Sequence, residues 1–454
     1  MPMRYSIPLL SRRHAFAFIA LTLAASSLLA GASPDALSDY IGCPDDSFAW
    51  KQIDQRTVEG FSATRLELTS QTWRSNVWQH QILVVRPPEV RHPEIAFVLI
   101  TGDGAVDKQF PLLRTLAIRG GALAAVINRV PNQPLYDGRK EDALIAYTFD
   151  QYVKTGEPTW PLLFPMAKSA VRAMDAVQEF AQKEFGRKPE RFVVAGGSKR
   201  GWTTWLSAAS DGRVKAIAPM VIDMLNMKAQ AKWAEQMYGR QSEQVKDYTD
   251  LNLTARMDEP RMVELRQWVD PYSYRNRYRI PKLLLLGTND PYWVVDSLRH
   301  YWADLPEPKL VFQTPNAGHD LAGGQAATQT LAAFFQMIAD GQQLPQMNWR
   351  FQKGSTNSVC LEVAVNPPAK GFRLWTADSP IRDFRKVRWS ASELASLSGT
   401  NALATIPNPA SGFRAYLVEA EFIAPGGESY RLSTEARVTP DGPPSLAVAE
   451  PSLK

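Results

Sequence analysis

Between residues 95 and 339 short, almost wholly apolar runs alternate with longer amphipathic stretches. Few folds accept that pattern. Strands that are apolar all round must be covered on both faces, so the alternation predicts an α/β domain with a mostly parallel sheet under helices on either side. The strands fall at Ile82–Arg86, Ile95–Ile100, Leu123–Asn128, Arg191–Ala195, Ala216–Val221, Lys282–Gly287 and Leu310–Thr314. Helical periodicity places helices near Val106–Ile118, Glu141–Lys154, Ala167–Phe185, Thr203–Ala209, Val294–Tyr301 and Leu321–Ile338.

The rhythm breaks in two places. Residues 224–279 contain no clean strand but many charges, methionines and aromatics, among them Met227, Trp233, Met237, Trp268 and Tyr278. The repeat stops after one strand and resumes at Ile280, which predicts a helical insertion forming a lid above the sheet; packing decoration without ligand contact is the alternative. After residue 343 the periodicity becomes strand-like, as in Val359–Val363, Gly371–Trp375, Phe413–Val418 and Tyr430–Thr434, with Pro and Gly between. About 100 residues suffice for an antiparallel sandwich. The expected domains are therefore 33–343, with the insertion at 224–279, and 344–440, followed by a loose tail at 441–454.

Residues 1–32 stand apart from the fold. Arg4, Arg12 and Arg13 open them, Ala15–Ala30 is nearly all apolar or small, and Ala30-Gly31-Ala32 offers a small-x-small cleavage site. These are the marks of an export signal. The apolar run is shorter than the roughly 20 residues of a membrane-crossing helix. Arg12-Arg13 leaves both the twin-arginine and the general export routes open, and an uncleaved tether is the remaining alternative. The mature chain, roughly 420 residues, is expected in the periplasm or secreted, without a membrane span. Of the formal charge of +5, three arginines lie in the signal with no acid beside them, leaving +2. That modest charge, with no basic helix or tail, argues against nucleic acid as a partner. Cys43 and Cys360 are the two cysteines; an oxidising compartment permits them to pair, and two separate thiols are equally compatible.

The stretch Arg191 to Thr203 runs from an apolar strand through Gly196-Gly197-Ser198 into a helix-like segment. Small residues at a strand-to-helix turn let the backbone bend tightly and expose the serine hydroxyl, and the amide of Lys199 would face a developing oxyanion at the helix start. An anion-binding or purely structural glycine turn is the alternative. Two later strands end in Gly287-Thr288-Asn289-Asp290-Pro291 and Pro315-Asn316-Ala317-Gly318-His319. Each of Ser198, Asp290 and His319 follows a strand end, so nucleophile, acid and base can converge on one sheet edge. His80, His92 and His300 lack that placement and are assigned structural or surface roles. Asp296, Asp320 and Asp223 are the alternative acids. A second oxyanion donor is expected in Thr101-Gly102-Asp103-Gly104, from the amide of Asp103, with Gly102 allowing a close backbone path; a plain turn is the alternative. Neither H-E-x-x-H nor close Cys/His spacing occurs, so no metal or other cofactor is expected.

The order Ser198, Asp290, His319 on strands interleaved with helices resembles the α/β-hydrolase superfamily. The elbow departs from G-x-S-x-G in one respect: Arg200 holds the usual small position and the second glycine comes one place late, at Gly201. The strings G-G-S-K-R-G-W-T, P-M-V-I-D-M-L-N at 219–226, G-T-N-D-P-Y-W at 287–293, P-N-A-G-H at 315–319 and D-F-R at 383–385 closely resemble the PhoPQ-activated pathogenicity-related protein family, over nearly the whole mature chain. That resemblance implies an α/β-hydrolase-like fold and an association with bacterial virulence regulation and export. The turn at Ser198-Lys199 also looks like the serine turn of glucuronoyl esterases, which implies a Lys199 side chain assisting the oxyanion. Substrate-carboxylate binding by Lys199 or Arg200, or a structural ion pair, are the alternatives. The chain is thus expected to be an exported serine hydrolase acting on an ester, rather than on an amide or peptide, with a small-molecule or peptide substrate. A non-catalytic binding or signalling protein on the same scaffold and an exported peptidase are the other two possibilities.

Overall fold

The apolar runs form the middle of a nine-stranded mixed sheet. The computed structural model describes residues 35–354, 357–396 and 398–442; the expected export signal lies outside them, as does the expected tail beyond Gly442. In chain order the first domain is built from α1 (Ala36–Gly42), β1 (Ala49–Val58), β2 (Phe61–Trp73), β3 (Asn76–Arg86), β4 (Ile95–Ile100), α2 (Phe110–Gly120), β5 (Leu123–Ile127), α3 (Glu141–Thr155), α4 (Leu163–Phe185), β6 (Arg191–Gly197), α5 (Lys199–Ser210), β7 (Val214–Met220), α6 (Met227–Tyr238), α7 (Lys246–Asp250), α8 (Pro260–Val269), β8 (Lys282–Gly287), β9 (Lys309–Thr314) and α9 (Gln325–Ala339). The strand order is β1-β2-β3-β5-β4-β6-β7-β8-β9, antiparallel up to β5 and parallel from there on. β4, β5 and β8 are buried at every position, as strands with helices on both faces must be. This is the α/β-hydrolase arrangement.

Two expectations need correction. The edge carries long antiparallel strands, β1 and β2, where only a short strand at Ile82–Arg86 was expected; β1 is mostly exposed and polar, so it lacks the apolar run that marks a covered strand. Val294–Tyr301 is no α-helix. It forms a 3-10 turn at Ser297–His300, because its side chains point into three different environments instead of one face. The 224–279 interval is helical as expected, holding α6, α7 and α8.

The C-terminal region makes two antiparallel sheets, β10-β11-β14 and β13-β12-β15-β16, with β17 also on β15. Their ranges are β10 (Gln346–Lys353), β11 (Ser358–Asn366), β12 (Gly371–Ser379), β13 (Ser390–Leu394), β14 (Asn401–Pro407), β15 (Phe413–Ile423), β16 (Ser429–Ser433) and β17 (Arg437–Thr439). Leu361, Val363, Phe372 and Val418 from these sheets join one apolar cluster with Phe334 and Phe335 of α9. The end of β16 and the residues after it also cover the free edge of β9: Gln313 donates its backbone amide to Ser433 Oγ at 2.9 Å, and its side-chain Oε1 accepts from the Ala436 amide at 2.6 Å. An edge strand with unpaired amides invites wrong pairing, and this contact removes that exposure. Cys43 and Cys360 are free thiols. Among the described residues no helix is long and apolar enough to cross a membrane.

A buried ion pair fastens the two regions. Arg382 and Asp296, both fully buried, meet at 3.0 Å, and the guanidinium lies over the Trp233 ring of α6 at 5.1 Å. Removing one partner of such a pair strands the other charge, at a cost of about 3–5 kcal/mol. Asp296→Ala, which leaves the buried Arg382 without its carboxylate, is expected to lose that much stability in denaturant-induced unfolding; a change under about 1 kcal/mol would contradict the pairing.

Candidate active site

β6 delivers the chain to Ser198 and α5 begins at the next residue. Ser198 has φ 57° and ψ −127°, a conformation that L side chains rarely adopt and that costs about 1–3 kcal/mol unless its surroundings enforce it. Here they do. The Ser198 amide donates to Met220 O at 2.8 Å on β7, and its carbonyl accepts the first helical bond, from Trp202 at 3.0 Å. A Cβ on Gly196 would lie 2.5 Å from Arg200 O, and one on Gly201 would lie 2.7 Å from Ile222 and 2.9 Å from Gly196 O. The tight packing that demands glycine therefore falls at 196 and 201, while Gly197 is open. That explains the late second glycine: the first turn of α5 crosses β7 at Gly201.

Arg200 leaves the turn sideways. Its Nε donates to Val130 O at 2.6 Å and its two terminal nitrogens donate to Glu141 at 2.6 Å each. The guanidinium occupies the space where a side chain on Gly102 would stand. The need for glycine at 102 is thus met by a protein side chain, where a ligand was expected. Lys199 Nζ sits 2.9 Å from Asp142 and 3.1 Å from Glu141. Burial works against both charged partners, yet the cations hold the Glu141 carboxyl down at about 2, and the two acids raise the Lys199 ammonium. Both basic side chains after the serine are engaged by acids of α3. Asp103 is exposed, and its carboxylate accepts from Gln133 at 3.1 Å.

Of the four candidate acids the structure brings one to the histidine. His319 Nδ1 donates to Asp290 Oδ2 at 2.8 Å, and Asp290 is buried with its other oxygen accepting the Tyr292 amide at 3.0 Å. His319 Nε2 is buried without a hydrogen-bond partner. The Tyr292 ring stacks on the imidazole at 4.3 Å between centroids and lines the same cavity as Ser198 and Lys199. The other three acids are engaged elsewhere. Asp296 pairs with Arg382 and Arg299 and accepts from Trp233 Nε1. Asp320 accepts from the Ala322 amide. Asp223 is buried and accepts from Tyr301 Oη at 2.7 Å. His80 bonds Ser70 and Asn128 in the core, His92 meets Asp340, and His300 stands on Trp233.

Sequence reasoning missed two asparagines beside the acid and base. Asn289 Nδ2 donates to Phe384 O at 2.9 Å and Val387 O at 2.7 Å. Asn316 exchanges bonds with the Trp389 backbone at 3.0 and 2.7 Å. The segment holding D-F-R therefore clamps both loops from the C-terminal side, and the loops are zipped to each other by Asn289 N to Ala317 O at 2.9 Å and Asn316 N to Thr288 Oγ at 3.0 Å. The one available signal was that D-F-R at 383–385 belongs to the same set of family-like strings as the two loop motifs.

Three comparisons extend this picture. The family model described as PhoPQ-activated pathogenicity-related protein matches residues 37–385. Autocrine proliferation repressor protein A of Dictyostelium discoideum is 33% identical over 444 residues, covering 89% of each chain. Among solved structures, acetyl xylan esterase 1 from Thermoanaerobacterium sp. JW/SL YS485 is similar with TM-score 0.47 and 14% identity, over 67% of this chain and 91% of that one. An acetyl xylan esterase from Paenibacillus sp. R4 is similar with TM-score 0.46 and 15% identity, over 65% and 90%.

Burial pushes the Asp223 carboxyl up from 3.8 to about 8. A carboxyl held neutral in the folded chain but ionised when unfolded favours folding fully below about pH 4, and that contribution is lost as pH rises to about 8. Asp223→Asn is expected to show a smaller fall in Tm than the parent between those limits; parallel curves would contradict a neutral Asp223.

Proposed function

This chain belongs to the PhoPQ-activated pathogenicity-related protein family, and we propose that it is an exported hydrolase that cleaves an ester through an acyl-enzyme on Ser198. The observation that carries the proposal is a strained, half-buried Ser198 at the strand-to-helix turn together with a His319–Asp290 bond of 2.8 Å at strand ends two and three places along the same sheet, with His319 Nε2 unbonded and open to a proton from Ser198. In the proposed reaction His319 Nε2 takes the Ser198 proton as Oγ attacks the ester carbonyl. Asp290 fixes the tautomer that leaves Nε2 free and stabilises the imidazolium. The Lys199 amide, at the first position of α5 where no intrahelical acceptor exists, receives the oxyanion, with the Asp103 amide as its partner. The imidazolium then protonates the leaving alkoxide, and water repeats the sequence to release the acid and restore Ser198. The basic, apolar first 32 residues support export to the periplasm or beyond.

A second possibility, a secreted signal on a hydrolase scaffold, is favoured by the name of the Dictyostelium relative. Fluorophosphonate labelling of the mature protein separates the two. A single adduct is expected on the Ser198 peptide, absent in Ser198→Ala and greatly slowed in His319→Ala. Asp290→Asn is expected to lower kcat about 10⁴-fold with the fold retained, the effect of presenting the wrong tautomer. A folded protein that takes no label would overturn the enzyme proposal in favour of the signal.

A further inference from the structure

The cavity beside Ser198 has a chemistry that the reaction itself does not dictate. It measures about 130 Å³, and the helical insertion supplies most of its wall, including Met224, Met227, Ala234, Leu253, Met257 and Met262, against Phe149, Trp202 and Ile222 of the main domain. Thioethers and small aliphatic groups make a wall that adapts in shape and offers no strong hydrogen bonds.

Most of the polar groups in that wall are engaged within the protein, while the Trp293 indole N–H is buried without an acceptor. Lys199 faces Asp142 and Glu141 at 2.9 and 3.1 Å, and Asp142 also accepts from Tyr248 Oη at 3.1 Å. Gln230 Nε2 donates to Leu225 O and Ser297 O, Gln241 Nε2 to Ala231 O, and Ser242 Oγ to Pro291 O at 2.7 Å. A substrate carboxylate would have to take Lys199 from the two acids that already pair with it, and a sugar would bury several hydroxyls against a wall whose polar groups, the Trp293 N–H apart, are mostly bonded. Either loses hydrogen bonds to water without replacement. An apolar chain loses none.

Size narrows the class further. An apolar cavity of about 150 Å³ holds a guest the size of benzene, so the space beside Ser198 takes a chain of about four to eight carbons. Resting on the hydrolase proposal, we infer that the substrate is an uncharged ester whose apolar acyl group, about four to eight carbons long, fills the cavity between Ser198 and the insertion, and that esters ending in a carboxylate or a sugar acid are excluded.

The test is kcat/KM of the mature full chain on p-nitrophenyl esters from acetate to dodecanoate, with a hemisuccinate ester alongside and fluorophosphonate labelling of Ser198 run in parallel. Each methylene that enters the cavity is expected to raise kcat/KM about fourfold, so butyrate exceeds acetate about 16-fold. The rise ends near octanoate, dodecanoate falls at least about tenfold below the optimum, and the hemisuccinate is at or below acetate. Ala234→Phe, which fills the cavity, is expected to lower the octanoate to acetate ratio about tenfold or more. If that variant fails to fold, the parent series decides alone. A labelled Ser198 with rates that are flat, that climb through dodecanoate, or that favour hemisuccinate would overturn the assignment and leave the hydrolase proposal standing. No label together with no ester turnover would overturn both.

Discussion

At Ser198 the backbone holds φ 57° and ψ −127°, and the neighbouring packing exists in a form that only this turn allows. Gly196 and Gly201 touch backbone that a Cβ would strike. The Ser198 amide is tied to β7, and Arg200 leaves the turn to bind Val130 and Glu141. The strain of about 1–3 kcal/mol persists because several contacts over-determine it. The consequence for chemistry is direct: the side chain stands clear of the strand and the first amides of α5 have no acceptor of their own.

The opposite half of the site is positioned from outside the first domain. Asp290 and His319 ride on loops whose neighbouring asparagines bond to backbone at 384–389. Arg382, a few residues earlier, is buried against Asp296 and the Trp233 ring of the insertion. One short C-terminal segment thus touches the acid loop, the base loop and the helical insertion. The C-terminal sheets are therefore part of the site's scaffold, and their cover over the edge of β9 is a second reason for them to be there.

The residues legible in the sequence were those whose neighbours are local. Ser198, Asp290 and His319 each follow an apolar strand, and a strand end in a parallel sheet fixes where the next side chain can go. β1 was illegible because a mostly exposed edge strand carries no apolar run. Glu141 and Asn316 were illegible because their partners, Arg200 and Trp389, lie 59 and 73 residues away. The glycine at 102 was legible as a residue but not in its reason, since the group that fills its space is the long side chain of Arg200. Asp290 is preferred to Asp296 from its place at a strand end, and the structure separates them by the His319 bond to Asp290 and the Arg382 pair on Asp296.

The most direct test of an activated Ser198 is a crystal structure of the protein after reaction with a small phosphonate. Phosphorus is expected bonded to Ser198 Oγ, with the phosphonyl oxygen on the Lys199 amide and His319 Nε2 within hydrogen-bond reach of Oγ, its bond to Asp290 intact. An adduct on another residue, or a Ser198 adduct whose oxygen faces away from the start of α5 with His319 out of reach, would contradict it.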